Sequence, residues 1–241
     1  MAISNLNGIA LSGTSAINGV TQSTLSAING QTIGGGSSPP AYDNSAKLNS
    51  SGNGTMTLSL TTSGSNRYLL VGLGTTTSIT CTGITYNGVA MTEIGSAVDN
   101  TDSGANSRLY VFELIAPASG ANDIVASFSG APAERTMFGL SFTSVHQTTP
   151  TGTSATATVN NSATPSVTVS SATGELVVDF HSANNSLVTF SAGSGQTSRQ
   201  TETTSVGMCS STQDGAASVV MDWSNTNNRW YSSRGIPLKP A

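Results

Sequence analysis

The chain has 241 residues, of which 36% are hydrophobic and only 8% are charged, whereas an ordinary soluble domain has roughly 25% charged residues. This length and apolar fraction are sufficient for one sizeable hydrophobic core. The formal net charge is -4 and Lys and Arg form no cluster. The sequence therefore lacks the basic patch that attracts nucleic acids and anionic membranes. We therefore expect no nucleic-acid partner and no membrane partner.

Gly, Ser, Thr and Asn fill the stretches between short apolar runs. Exposed helix faces normally use Glu, Lys and Arg, which are scarce here, so the composition predicts an all-β fold with almost no helix. No segment has the pattern of a standard signal peptide or the roughly 20 apolar residues of a membrane span. We expect a chain that stays in a cytoplasm, where disulfides are rare, so Cys81 and Cys209 are predicted to be buried thiols.

The first residues contain a strict internal repeat, in which an apolar residue precedes Asn-Gly. The three copies are separated by 11 residues: Leu6, Asn7, Gly8; Ile17, Asn18, Gly19; Ile28, Asn29, Gly30. Asn-Gly is the pair best suited to a tight type I′ turn, so each copy predicts one short strand and one turn. Such a unit is too small to be stable alone. We predict that residues 1–33 form an assembly arm that becomes ordered against another protein or a symmetry mate; a disordered leader is the alternative.

A Gly/Ser-rich stretch followed by two prolines predicts a linker over residues 34–54, and a β-sandwich domain over residues 55–241. Asn87 and Gly88 lie between two apolar runs and predict a hairpin. About a dozen short strands predict an antiparallel two-sheet sandwich, jelly-roll-like in topology. These strands are predicted at 55–60, 68–73, 79–86, 89–94, 109–115, 123–128, 137–145, 166–169, 175–180, 187–190, 218–223 and 230–236.

The search for catalytic chemistry yields weak candidates. Glu175 and Asp179 have the even spacing that places both on one face of a strand, but outward charges on strands usually serve solubility. His146 and His181 have no metal-ligand spacing. Because the chain is rich in serine, a Ser/His/Asp triad remains an alternative, but the sequence contains no Gly-x-Ser-x-Gly elbow. We predict no enzyme activity, no catalytic residue, no metal and no cofactor.

Two further groups of residues are open to a binding interpretation. Residues 99–104 are rich in oxygen ligands but lack the spacing of a calcium loop, so a solvated turn is favoured. Trp223, Trp230 and Tyr231 are candidate surface-binding aromatics for a host-surface glycan. Packing in a core or an interface is the favoured interpretation for them.

Four segments, at residues 84–91, 109–117, 142–150 and 173–180, resemble a β-sandwich module of tailed-bacteriophage virion proteins and of some bacterial surface proteins. The resemblance extends over residues 55–238, and the repeated units ending in Asn-Gly are similar to N-terminal segments of phage structural proteins. It implies a role in a virion and no active-site residues.

The leading hypothesis is therefore a capsid decoration or cement protein whose N-terminal arm holds the major capsid protein or its own symmetry mates. Closed symmetric oligomers are common for such subunits, and we expect a homotrimer located in the virion and assembled in the host cytoplasm. The alternatives are a tail-fibre or baseplate component that binds the host surface, and a bacterial surface adhesin or extracellular filament subunit. An enzyme acting on polysaccharide is the least favoured.

Overall fold

The computed structural model describes residues 38–51, 54–76, 80–102, 106–130, 134–184, 189–204 and 206–241, together with six two-residue strands among the first 32 residues. The chain divides into two compact units, Met1–Ser38 and Pro39–Ala241. The described residues contain β-strands and no helix. The predicted all-β class is therefore confirmed.

Each copy of the N-terminal repeat forms a hairpin of two short strands. The strands are β1 Asn5–Leu6, β2 Ile9–Ala10, β3 Ala16–Ile17, β4 Val20–Thr21, β5 Ala27–Ile28 and β6 Gln31–Thr32, paired as β1-β2, β3-β4 and β5-β6. The prediction of one strand per copy is thus corrected to two. The reason is that only two residues separate the strands of each pair, and so short a connection returns the chain antiparallel to itself. The Asn-Gly residues themselves lie outside the described part of the chain.

The second unit contains longer strands, all paired antiparallel. In chain order they are β7 Ala41–Ser50, β8 Met56–Thr62, β9 Tyr68–Thr75, β10 Cys81–Tyr86, β11 Val89–Ala90, β12 Thr92–Glu93, β13 Val98–Asn100, β14 Ser107–Ile115, β15 Gly120–Phe128, β16 Arg135–Thr143, β17 Ala155–Ser162, β18 Ser166–Val169, β19 Leu176–Ala183, β20 Ser191–Ala192, β21 Thr197–Glu202, β22 Met208–Asp214, β23 Val219–Ser224 and β24 Arg229–Leu238.

These strands form four sheets, and the two halves of the unit have corresponding strand orders, except that β11 and β13 of the first half have no counterpart. In the first half, sheet I has the order β11-β10-β15-β8, and sheet II has the order β12-β14-β9-β16-β7 with β13 also paired to β14. In the second half, sheet III has the order β17-β24-β19-β22-β21, and sheet IV has the order β18-β23-β20. Thus β9 and β19 are the central strands of equivalent sheets. Each half is a two-sheet antiparallel sandwich.

The sheets stack as four layers with three apolar cores between them. One core lies between sheets I and II, a second between sheets II and III, and a third between sheets III and IV. Consequently β9 and β19 are buried along their whole length on both faces. The continuous apolar run at 68–73 is explained by this double covering. The predicted β-sandwich class is confirmed, and the unit consists of two stacked sandwiches. The jelly-roll topology stays a prediction.

The strongest local patterns are confirmed. Tyr86 pairs with Val89, and Asn87 and Gly88 between them have φ values of 50° and 76°, as a type I′ turn requires. The strand predicted at 166–169 is β18. Of the strand predicted at 187–190, residues 187–188 lie outside the described part, and the described residues 189–190 precede β20 instead of forming a strand.

The predicted linker is corrected, because β7 lies inside residues 34–54. This strand pairs with β16 from Ala41↔Thr143 to Ser50↔Arg135 and forms one edge of sheet II. Strands β13, β17, β20, β21 and β22 were also not predicted. Most of these are edge strands with many polar residues, and such strands lack the apolar alternation from which a strand is predicted.

Candidate functional site

The core of the second sandwich contains a buried polar cluster where the first sandwich is apolar. The central strand β9 presents apolar side chains to the core between sheets I and II: Leu69, Val71 and Leu73. On the equivalent strand β19, Val177 belongs to the core toward sheet IV, and Asp179 and His181 follow it at alternate positions. Both polar residues are 0% exposed. Because β19 has polar residues where the equivalent strand β9 has apolar ones, the core between sheets III and IV is the candidate site.

Asp179 is the centre of this cluster. Its Oδ1 accepts hydrogen bonds from the backbone N and the Oγ of Ser211, the latter at 2.9 Å. Its Oδ2 lies 2.7 Å from Trp223 Nε1 and 3.0 Å from His181 Nε2. The other ring nitrogen of His181, Nδ1, lies 2.7 Å from Ser233 Oγ. A buried carboxylate is stable only when its oxygens are satisfied in this manner.

Register explains why these residues meet. His181 and Ser233 are direct partners in the pairing of β19 with β24, so their side chains leave the same face of sheet III. Ser211 lies on β22, the neighbour of β19 on the other side. Trp223 reaches the carboxylate from β23 in sheet IV, across the core. The cluster therefore joins both sheets of the second sandwich.

Gln196 connects the cluster to the loop before β21. Its Oε1 lies 3.0 Å from Ser211 Oγ, and its Nε2 donates to the carbonyl oxygen of Asp222. Gln196 is half-buried, whereas Ser211 is 0% exposed. With it, the buried polar cluster is complete: Asp179, His181, Gln196, Ser211, Trp223 and Ser233.

The order of contacts Asp179, His181, Ser233 is that of an acyl-transfer triad. All three residues are 0% exposed, so a substrate from solution does not reach them in this conformation. Chemistry in the cluster is therefore limited to groups of the chain itself.

The two cysteines are free and buried in different cores. Burial and the nearby charge of Asp179 raise the pKa of the Cys209 thiol well above its ordinary value. Burial also raises the pKa of Cys81, to about 11. Both side chains are therefore neutral thiols at neutral pH, and neutral thiols are poor nucleophiles and poor metal ligands. Among the described residues, no group of three His, Cys, Asp or Glu side chains could hold a metal ion.

The prediction of surface-binding aromatics is wrong for Trp223 and Tyr231. Trp223 is 1% exposed and Tyr231 is 0% exposed, so neither forms an exposed platform. Both pack edge-to-face against Phe190, with ring centroids 6.0 and 6.4 Å apart. Trp230 is half-buried. Packing, the favoured interpretation of Trp223 and Tyr231, is what the structure shows.

Glu175 and Asp179 do not act as a pair. Glu175 Oε2 accepts a hydrogen bond from the backbone N of Ala172, just before β19, whereas Asp179 points into the core. The expectation that these charges face outward is therefore wrong for Asp179. The physical reason is that β19 is covered on both faces.

His146 and Asp99 each have a local partner. His146 Nδ1 accepts from the backbone N of Thr149 at 3.0 Å and so closes a turn. Both carboxylate oxygens of Asp99 contact the guanidinium of Arg108, at 2.5 and 2.7 Å. Residues 103–105, which include part of the oxygen-rich loop, lie outside the described chain.

The predicted assembly residues lie in the first unit. Leu6, Ile17 and Ile28 are the last residues of β1, β3 and β5. The remaining predicted arm residues, which are outside the described part of the chain, are Asn7, Gly8, Asn18, Gly19, Asn29 and Gly30.

No protein-family model, curated protein or solved structure matches this chain. In the part of the chain that the structure describes, no helix is long and apolar enough to cross a membrane. Sequence reasoning missed the buried polar cluster, but one signal was present: Asp179 and His181 occupy alternate positions in Leu176–Ala183, a segment that is mostly apolar.

Proposed function

We propose that this chain is a structural protein of a phage virion, attached to the particle by its N-terminal hairpins. The capsid-decorating role is our leading version, with the major capsid protein or further copies of this chain as partners. The observation that supports assembly most directly is the threefold repetition of a minimal hairpin.

The size of each hairpin argues for a partner. Every strand has two residues, and each hairpin pairs only with itself among the described strands. An isolated two-stranded hairpin is at best marginally stable in water, and such short strands close few hydrogen bonds. Three equally spaced copies match a partner that presents the same surface repeatedly, which is what a shell of identical subunits does.

The second unit supports the same role. Its two central sheets are covered on both faces, which favours a rigid body. A surface with so few charges is unusual for a free monomer and suits a chain that is partly covered by neighbours. The assignment to a virion is supported by the resemblance of its strand segments to phage modules.

The buried polar cluster does not favour an enzyme acting on a substrate from solution, because its triad-like residues are fully buried. The buried Trp223 and Tyr231 likewise give no support to a glycan platform.

Deletion of residues 1–33 tests the proposal. We expect particles grown with the truncated chain to lose it, because the hairpins make the attachment, while the purified second unit keeps its β-sheet circular dichroism. Full-length chain with Val220→Ser, a change at an exposed sandwich residue, is the matched control and should be incorporated normally. Incorporation is measured as copies of this chain per copy of the shell protein.

The copy number also separates the alternatives. A number of copies per particle near the number of shell subunits or capsomers supports decoration, whereas a few copies per particle support a tail-fibre or baseplate component. Undiminished incorporation of the truncated chain would contradict attachment by the hairpins.

A further inference from the structure

In the buried polar cluster, the hydroxyl of Ser211 has two acceptor oxygens as neighbours but only one proton to donate. Ser211 Oγ lies 2.9 Å from Asp179 Oδ1 and 3.0 Å from Gln196 Oε1. A serine hydroxyl donates one proton, and both neighbouring oxygens are acceptors. One of the two contacts therefore joins two oxygens with no proton between them.

The orientation of the Gln196 amide follows from its other contact. Its Nε2 donates to the carbonyl oxygen of Asp222. If the amide were turned over, Oε1 would face that carbonyl oxygen and the hydrogen bond would be lost. Gln196 therefore presents its side-chain carbonyl, not its NH₂ group, to Ser211.

The proton of Ser211 has a preferred destination. A charged acceptor forms a stronger hydrogen bond than a neutral amide oxygen, so the proton lies toward Asp179. This leaves a lone pair of Ser211 Oγ facing the amide carbonyl of Gln196. Ser211 thus lies beside a base and touches the oxygen of an amide carbonyl, and a nucleophile, a base and an acyl group are the parts that acyl transfer requires.

We propose that Ser211 and Gln196 react to form an intramolecular ester. The Oγ of Ser211 bonds to Cδ of Gln196 while Asp179 accepts the hydroxyl proton. The Cδ–Nε2 bond then breaks, the proton passes from Asp179 to the departing nitrogen, and one molecule of ammonia leaves. The reaction uses no oxidant, reductant or cofactor, and Asp179 is regenerated.

The surroundings favour this reaction and preserve its product. Holding two reacting groups in contact replaces a bimolecular encounter by a step within the fold. Ser211 and Asp179 are 0% exposed, so the serine side of the ester is shielded from water, while half-buried Gln196 gives ammonia a short way out. Trp223 and His181 are positioning residues, because both hold Asp179 through Oδ2, the oxygen that does not contact Ser211.

The ester would join the loop before β21 to the middle of β22, and so fasten the edge of sheet III. This inference is independent of the proposed virion role. It concerns a covalent modification of the chain by itself.

The mass of the purified full-length chain, measured after denaturation, tests the proposal. We expect a mass lower than that of the sequence by one ammonia. Trypsin cleaves after Arg135, Arg199 and Arg229, so Gln196 and Ser211 fall in different peptides, 136–199 and 200–229. We expect these two peptides to stay joined and to separate after hydroxylamine treatment. A succinimide at an Asn-Gly site also loses ammonia, but it does not join the two peptides.

Two glutamine variants identify the reacting atom. Gln196→Glu keeps an acceptor oxygen but removes the amide leaving group, so the two peptides should separate. Gln200→Glu, at a nearby glutamine that contacts Ser45, is the matched control and should keep them joined. Asp179→Asn should slow the joining by about 10²-fold or more, as expected for loss of a general base.

Unmodified mass with separate peptides in the wild-type chain would overturn the proposal, whatever the folding of the variants. Peptides that stay joined in Gln196→Glu would also overturn it, because the link would then involve other residues.

Discussion

Gly72 lies where the core between sheets II and III leaves no room for a side chain. A Cβ atom built at this position would be 2.3 Å from Cδ1 of the Phe180 ring, a distance that no real Cβ contact tolerates. The aromatic ring of one sandwich thus occupies the space that a side chain of the other would need. A missing Cβ here is a requirement of packing.

We predict that Gly72→Ala destabilises the fold by about 1–3 kcal/mol, because overpacking moves a buried ring. Gly130→Ala is the matched control, since nothing lies within 4 Å of its added Cβ, and its effect should stay within about 0.5 kcal/mol. The free energy of unfolding in urea measures both. Phe180→Leu should partly rescue Gly72→Ala, and equal stability of the two glycine variants would contradict the packing argument.

For β19, the sequence predicted the burial of one face of the strand but not of the other. In Leu176–Ala183 the apolar residues Val178 and Phe180 identify one face of β19, and Asp179 on the other face was interpreted as pointing to solvent. Alternation distinguishes the two faces of a strand, but it does not say whether the second face is covered. Only the packing of sheet IV over this face decides that Asp179 and His181 are buried.

At the scale of elements, β7 is the clearest difference between the predicted linker and the fold. Its residues are mostly half-exposed because it forms an edge of sheet II. It nevertheless has specific partners: Asp43 accepts hydrogen bonds from Ser63 and Ser141, and Leu48 packs on the core between sheets I and II. Burial opposes ionisation of Asp43, but these hydrogen bonds outweigh it and lower its pKa.

We predict that a chain starting at Pro39 keeps the stability of the second unit, whereas one starting at Thr55 loses a large part of it. The second truncation removes β7, exposes the edge of β16 and leaves Ser141 without its carboxylate partner. The urea midpoint and the rate of cleavage by protease measure the difference. Indistinguishable midpoints would show that residues 39–54 serve only as a connection.

Strands and turns were predicted correctly where the residue types alone determine the local backbone conformation. The pair Asn87 and Gly88 adopts positive φ values readily and so fixes the hairpin between β10 and β11. The strand β18 has a clear alternation, with Val167 and Val169 buried. By contrast, β22 is buried but rich in hydroxyl side chains, because it forms part of the buried polar cluster, and no apolar period indicated it.

At the scale of the whole molecule, the two sandwiches share the core between sheets II and III. This core takes residues from both halves, among them Leu70, Phe138, Phe180 and Ile236. Separating the halves would expose all of these side chains to water. The four layers are therefore expected to be one cooperative unit.

We predict a single calorimetric transition for a chain of residues 39–241, with equal calorimetric and van't Hoff enthalpies. Phe180→Ala should cost about 3–5 kcal/mol and move the entire transition to lower temperature. Val220→Ala, at an exposed position of sheet IV, is the control and should leave it unchanged. Two resolved transitions in the wild-type chain would show that the sandwiches unfold independently.

The sequence by itself determined the all-β class, the repeated turns of the first unit and the strongest strands, because turn propensity and alternation act over a few neighbouring residues. Tertiary structure alone decided that two sandwiches of corresponding strand order stack through their central sheets. It also decided that an aspartate and a histidine meet a serine and a glutamine in a closed core. These outcomes depend on which faces are covered and on which distant strands become neighbours, and a local pattern specifies neither.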